Sequence, residues 1–193
     1  EGDGGGSSGG GRDRADKDRV HVLESAVVMW TERIHTALQK APDSCFGVVG
    51  TKEELYPGPL VGIEFWNGKH IDLGDILDQL TGPQIAKVLK VLEIIRPPYY
   101  SAFKALMQQL TIAHSEAKDN CKYLESLKPA FTALLQTDFT EIADQFKSIM
   151  HLLLMVWKHS KFYNTPPSLA LLVRMLCNDV IEKAREFLGG TAE

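Results

Sequence analysis

Six histidines, three cysteines and 25 carboxylates are the raw material from which this 193-residue chain would build a reaction centre. Their spacing does not assemble one. His21, His35, His70, His114, His151 and His159 never fall four apart on a helix, and none stands at metal-ligand spacing from a cysteine. His151 and His159 are separated by seven residues with no carboxylate among them, which predicts a surface or core-rim position. Cys45 lies in a loop with no neighbouring base to generate a thiolate, while Cys121 and Cys177 fall in helix stripes and read as small core residues. Asp72, Asp75 and Asp78 read as a solvated helix face, and the Ser and Thr residues read as caps rather than a nucleophile elbow. The glycines of the opening have no strand before them and no Lys-Ser or Lys-Thr after them. Gly62 to Lys69 superficially resembles a phosphate loop, but the spacing is one residue too long and His70 stands where Ser or Thr is needed. The expectation is a chain with no catalytic residue, no cofactor site and no metal site.

The elements that hold these residues are helices. Glu1 to Asp18 is Gly/Ser-rich and then charged, and reads as a flexible linker that cannot bury enough apolar surface to offset its ordering entropy. From Arg19 to Lys40, the residues Val20, Leu23, Val27, Trp30, Ile34 and Leu38 form one stripe, with Trp30 in the core. Residues 41–59 hold three prolines and three glycines and read as a loop. A helix with Ile63, Trp66, Leu73, Ile76, Leu77 and Leu80 inward follows, interrupted by Gly62, Gly68 and Gly74, with a bend expected at Gly68. Thr81 is the expected cap of the next helix, which carries Ile85, Val88, Leu89, Leu92 and Ile95 inward and ends before Pro97-Pro98. Tyr99 to Leu127 and Pro129 to Gln136 read as one long and one short helix.

Asp138 with Glu141 resembles a capping box opening a helix with Ile142, Phe146, Ile149, Leu153, Val156 and Trp157 on one face. Full burial of Trp157 would make its truncation to Ala cost about 3–5 kcal/mol. Thr165-Pro166 starts a last helix, with Leu169, Leu172, Val173, Leu176, Val180, Ile181 and Phe187 inward and Gly189-Gly190 as its stop. The hairpin from Asp138 to Leu188 is the expected spine. No stretch alternates with period two. The fold class expected is therefore all-α: elongated antiparallel helical bundle(s) of about six helices over residues 19–188, with 1–18 as linker and 189–193 as the end.

Totals agree with that reading. Hydrophobic residues at 44% and charged residues at 24% match an ordinary globular protein. A formal charge of −4 supplies no basic face for nucleic acid. No segment reads as a signal peptide, transit peptide or membrane span, and three distant cysteines point to a reducing compartment. A first residue that is Glu rather than Met predicts a piece of a longer polypeptide.

Four strings then carry a resemblance: LESAVVMWTERIHTAL, GPLVGIEFWNGK with LGDILDQL, AKDNCKYLESLKPAF and MVWKHSKFYNTP. In this order and separation they resemble the N-terminal tail region of dynein heavy chains, of the axonemal type, over Leu23 to Leu188. Family-motif residues are Trp30, Glu64, Phe65, Trp66, Trp157, Tyr163 and Asn164. Gly62 stands where that family carries an acidic residue and Asn67-Gly68 where it carries a charged pair, which implies a less rigid helix. The resemblance implies a non-catalytic tail segment, with the ATP-driven microtubule motor outside these residues. Implied partners are other dynein heavy chains, intermediate and light chains, and docking proteins on the doublet microtubule, in the cytoplasm and cytoskeleton of a cilium or flagellum axoneme. Tyr99, Tyr100, Leu152, Met155 and Phe162 are candidate partner contacts, each also readable as internal core. The alternative is an unrelated all-helical adaptor or small-GTPase regulator module.

Overall fold

The computed structural model describes residues 10–40 and 58–190, with side-chain surroundings from Val20 to Gly189. Among the described residues there are seven α-helices and no strand. They are α1 (Gly10–Gln39), α2 (Pro59–Thr81), α3 (Pro83–Ile95), α4 (Tyr100–Glu125), α5 (Lys128–Gln136), α6 (Ile142–His159) and α7 (Pro166–Gly190), with one 3-10 turn at Phe139–Glu141. The all-α expectation holds. Cys45 and most of the loop expected at 41–59 lie outside the described residues, as do residues 1–9.

The centre of the molecule is not where the apolar density of the sequence pointed. α2 is the hub: it packs on α1, α3, α4, α5 and α7, and its contact with α4 is the most extensive among the described residues. α6 packs chiefly on α5, whereas α7 lies against α2 and the 3-10 turn, so α6 and α7 do not form the expected spine. The physical reason is that a hub needs core contacts spread around its circumference. α2 buries Gly62, Ile63, Trp66, Leu73, Ile76 and Leu80. α6 buries only Ile149, Leu153 and Val156, one row of a helix, and leaves Leu154 and Met155 exposed. Its extra apolar residues face outward. One contiguous core runs from Val27 on α1 to Leu176 on α7, through Phe131 and Leu134 of α5.

Several boundaries differ from expectation for local reasons. α1 starts at Gly10 rather than Arg19. Arg12 to Asp18 contains neither Gly nor Pro, and extending a helix already nucleated by packing costs far less than starting one. α2 continues unbroken through Gly68, because neighbouring helices hold it on either side. Asn67 assists by donating to Glu125 Oε2 at 2.9 Å, which ties α2 to α4. Thr81 does not cap α3. Its hydroxyl donates back to the Leu77 and Asp78 carbonyls, and Gly82 takes the cap position with Pro83 in the first turn. No capping box forms at Asp138, whose side chain caps nothing, and the 3-10 turn intervenes before α6. α3 ends at Ile95, before Pro97-Pro98 as expected, and is capped by Arg96, a non-glycine residue in the left-handed region whose N–H donates to the Leu92 carbonyl at 2.8 Å. The last helix does start at Pro166, with the Thr165 carbonyl accepting from Leu169 N–H.

The inward lists need correcting at their ends. Val20, Ile95, Ile181 and Phe187 are exposed, and Cys177 is exposed rather than a core residue. Each lies near a helix terminus or at the edge of a stripe, where a packing neighbour is lacking. Phe187 finds partial cover by stacking on Phe139 of the 3-10 turn, ring centroids 5.3 Å apart.

Candidate functional site

The motif strings converge on one junction. α4 supplies Asp119 from the AKDNC string, and the loop between α6 and α7 supplies Ser160 to Tyr163 from the KHSKFYNT string. One carboxylate oxygen, Asp119 Oδ2, accepts from Ser160 Oγ at 2.8 Å, Lys161 N–H at 2.8 Å and Phe162 N–H at 3.2 Å. Ser160 Oγ in turn accepts from Tyr163 N–H at 2.8 Å. A loop that leaves α6 would otherwise present these N–H groups unpaired, and burying them so would cost free energy. The loop is thus fastened to a helix some forty residues earlier in the chain.

Fastening the loop drives Tyr163 into the core. Its ring is 6% exposed, and burial pushes its phenol up to about 12. A small hollow there is walled by Gly62 and Trp66 of α2, Leu124 of α4, and Leu172 and Met175 of α7. Trp66 packs edge-on against Phe65, with centroids 5.2 Å apart and planes at 76°, and the Lys69 ammonium lies 5.6 Å from each of the two ring centres. Trp66 and Tyr163 therefore join three helices through apolar contact. The fit is tight nearby as well. A methyl group at Gly58 would approach Asp179 Oδ1 of α7 to 2.6 Å, so any side chain there would displace the Asp179 carboxylate. Asp179 Oδ2 is buried without a hydrogen-bond partner, and burial raises this carboxyl to about 6.

The remaining sequence-selected residues sit as follows. Trp30 is buried on α1 beneath the Arg33 guanidinium, 5.5 Å from the ring centre. Glu64 and Asn164 are exposed. Trp157 is half-buried, one position past the Ile149–Leu153–Val156 row, so the condition of full burial attached to its truncation cost is not met. Tyr99, Tyr100 and Leu152 are half-buried against the core, Phe162 is half-buried beneath the Lys161 ammonium, and Met155 is 53% exposed.

Two features escaped the sequence. Asp119 is an ordinary surface-type residue by type and spacing, and its role depends on a loop forty residues away. His70 of α2 and His114 of α4 stack with centroids 4.9 Å apart and planes at 17°. Burial lowers the His114 imidazole most, followed by His70 and Lys118, against the opposing pull of Asp78. Residues 44 positions apart on different helices give no linear signal of such a pair. Among the described residues, no group of three or more His, Cys, Asp or Glu is placed to hold a metal ion. Burial, and secondarily Glu125, push the half-buried Cys121 thiol up to about 11, the reverse of what a nucleophile needs. No helix of the described residues is long and apolar enough to cross a membrane.

Apolar rings and one carboxylate-held loop thus join α2, α4 and α7 at a single junction. Residues 20–192 match the family described as dynein heavy chain, N-terminal region 1, and the chain belongs to that family. It is 40% identical over 177 residues to the beta chain of the flagellar outer arm dynein of Chlamydomonas reinhardtii, covering 91% of this chain. It is 33% identical over 177 residues to the ciliary dynein beta chain of Tripneustes gratilla, with the same coverage. A third relative, axonemal dynein heavy chain 17 of Homo sapiens, is 29% identical over 169 residues, 88% of this chain. The chain spans 4% of the length of each of these relatives. They are flagellar, ciliary and axonemal proteins, and this chain is of that axonemal type, located in the cytoskeleton of the axoneme. Membership of this family removes the ground for an unrelated adaptor or small-GTPase regulator.

Proposed function

We propose that this chain is a non-catalytic assembly segment of an axonemal dynein heavy chain tail. It joins heavy chains, carries intermediate and light chains, and helps anchor the motor to docking proteins on the doublet microtubule. It needs no cofactor, binds neither nucleic acid nor membrane, and the ATP-driven motor chemistry lies outside these residues. The observation that carries this reading is the use of the motif residues: Trp66, Asp119, Ser160 and Tyr163 fix helices to one another around a small, chiefly apolar hollow. Surplus apolar side chains face outward instead, among them Val28, Met29, Ile94 and Leu154. Such residues on helix faces suit contact with other helices.

The test immobilises the 193-residue chain and passes axonemal extract over it, with phosphate release measured in parallel. Retention of a heavy chain, intermediate chains, light chains or docking proteins, without ATP hydrolysis, is the expected result. Retention of none of them, or ATP turnover by the chain itself, overturns the proposal.

A further inference from the structure

α1 and α4 do not close fully on each other. Between them runs an open groove of about 870 Å³ whose floor is the nearly buried Val27, Phe103 and Leu106. One wall is α1, with Glu24, Val28, Thr31 and His35 at steps of four, three and four. The other wall is α4, with Ala102, Ala105 and Gln109 at steps of three and four. These are the steps at which residues line up along one face of a helix. The stretch of α1 involved rises about 16 Å at 1.5 Å per residue, room for roughly three turns of another helix.

The chemistry of the walls selects the occupant. Val28 is 57% exposed on the rim, while the alanines of α4 let an incoming backbone come close. Glu24 and Glu32 are both exposed on the α1 side, and no Lys or Arg is among the lining residues. Burial, then the charge of Glu24, raises the Tyr99 phenol at the groove's edge, so that charge is felt across it. A shallower hollow over His21, Ser25 and Met29 shares Glu24, Val28 and Glu32 with the groove and extends the apolar, acid-rimmed surface over the crest of α1.

We propose that the α1–α4 groove is a docking site for an amphipathic helix of another polypeptide whose apolar stripe is flanked by Lys or Arg. This rests on the assembly reading above and adds which face is used and what it selects. Apolar side chains of the incoming helix pack onto Val27, Phe103 and Leu106, in the manner of other helix-in-groove complexes. Its basic flanks meet Glu24 and Glu32, which set the choice of partner more than the strength of binding.

The test uses two synthetic helical peptides with one shared Leu/Ile stripe, one flanked by Lys and Arg, the other by Glu. Fluorescence anisotropy measures their binding to the 193-residue chain at low and near-physiological salt. The basic peptide is expected to bind about tenfold more tightly, with the difference shrinking as salt rises. A Glu24→Lys/Glu32→Lys double variant reverses the order of the peptides. Ala105→Trp, on an exposed position, fills the groove and weakens both, with circular dichroism confirming an intact fold. Equal binding of the two peptides, no binding of either, or indifference to both variants overturns the proposal. Self-association of the chain that Ala105→Trp abolishes assigns the groove to a second copy and overturns it too. Retention of dynein subunits by the Ala105→Trp chain at parental level sinks the groove while leaving the assembly reading intact.

Discussion

Replacing Asp119 by alanine removes the acceptor on which the α6–α7 loop is hung. Three donors lose their partner at once: Ser160 Oγ, Lys161 N–H and Phe162 N–H. Lys161 is exposed, so water replaces the carboxylate there at little cost. The Ser160 and Phe162 donors are partly buried, and stranding such groups costs about 1–3 kcal/mol each, toward the lower end for the longer Phe162 bond. Asp119→Ala should therefore destabilise the chain by about 2–4 kcal/mol. Ser160→Ala should cost about 1–3 kcal/mol, because it also leaves the buried Tyr163 N–H without an acceptor. The two substitutions break one network, so the double variant should lose less than the sum, by about 1 kcal/mol. Urea unfolding followed by far-ultraviolet circular dichroism measures each term, with an unchanged urea dependence showing that the unfolded state is not altered. A loss below about 0.5 kcal/mol for Asp119→Ala, or strict additivity in the cycle, refutes the idea that this carboxylate fastens the loop.

Further outcomes follow from the same geometry. Gly68 lies within α2 with nothing near a would-be Cβ, so Gly68→Ala should raise stability by about 0.5–1 kcal/mol; thermal melts showing a loss would mean the helix needs glycine there. Asp179 is raised to about 6, so the folded state holds its proton where the unfolded state, near 3.8, has released it. Stability is thereby lost as pH rises from about 4 to 6 and stays lower above that. Asp179→Asn should gain about 1 kcal/mol at pH 7, allowing for partial screening by solvent, with the gain fading toward pH 4; a pH-independent difference in urea midpoints would contradict it. Trp157 is half-buried, so Trp157→Ala should cost about 1–2 kcal/mol by area rather than a full core penalty; a measured loss above about 4 kcal/mol would place the ring in the core after all.

What the sequence made legible was periodicity. The stripes of α1, α2 and α4 are visible because their apolar residues recur at three and four, and proline marks the starts of α2, α3, α5 and α7. What it hid was the arrangement of those stripes in space. Apolar density drew attention to α6, yet Leu154 and Met155 face outward while glycine-interrupted α2 is central. Propensity undervalued α2 because packing on several sides outweighs the cost of Gly68 and Gly74. Local hydrogen-bond competition misdirected the caps: Thr81 bonds to its own helix rather than opening the next. The motif strings could be recognised in one dimension, but the contact between two of them, Asp119 reaching the loop before Tyr163, exists only in three.

We propose assembly without catalysis for this chain. Analytical ultracentrifugation of the 193-residue chain with purified axonemal heavy-chain tail, intermediate chains and light chains tests it most directly. A co-sedimenting complex of defined stoichiometry, unchanged by ATP, is the predicted result. A chain that sediments alone in every mixture would overturn the assembly role.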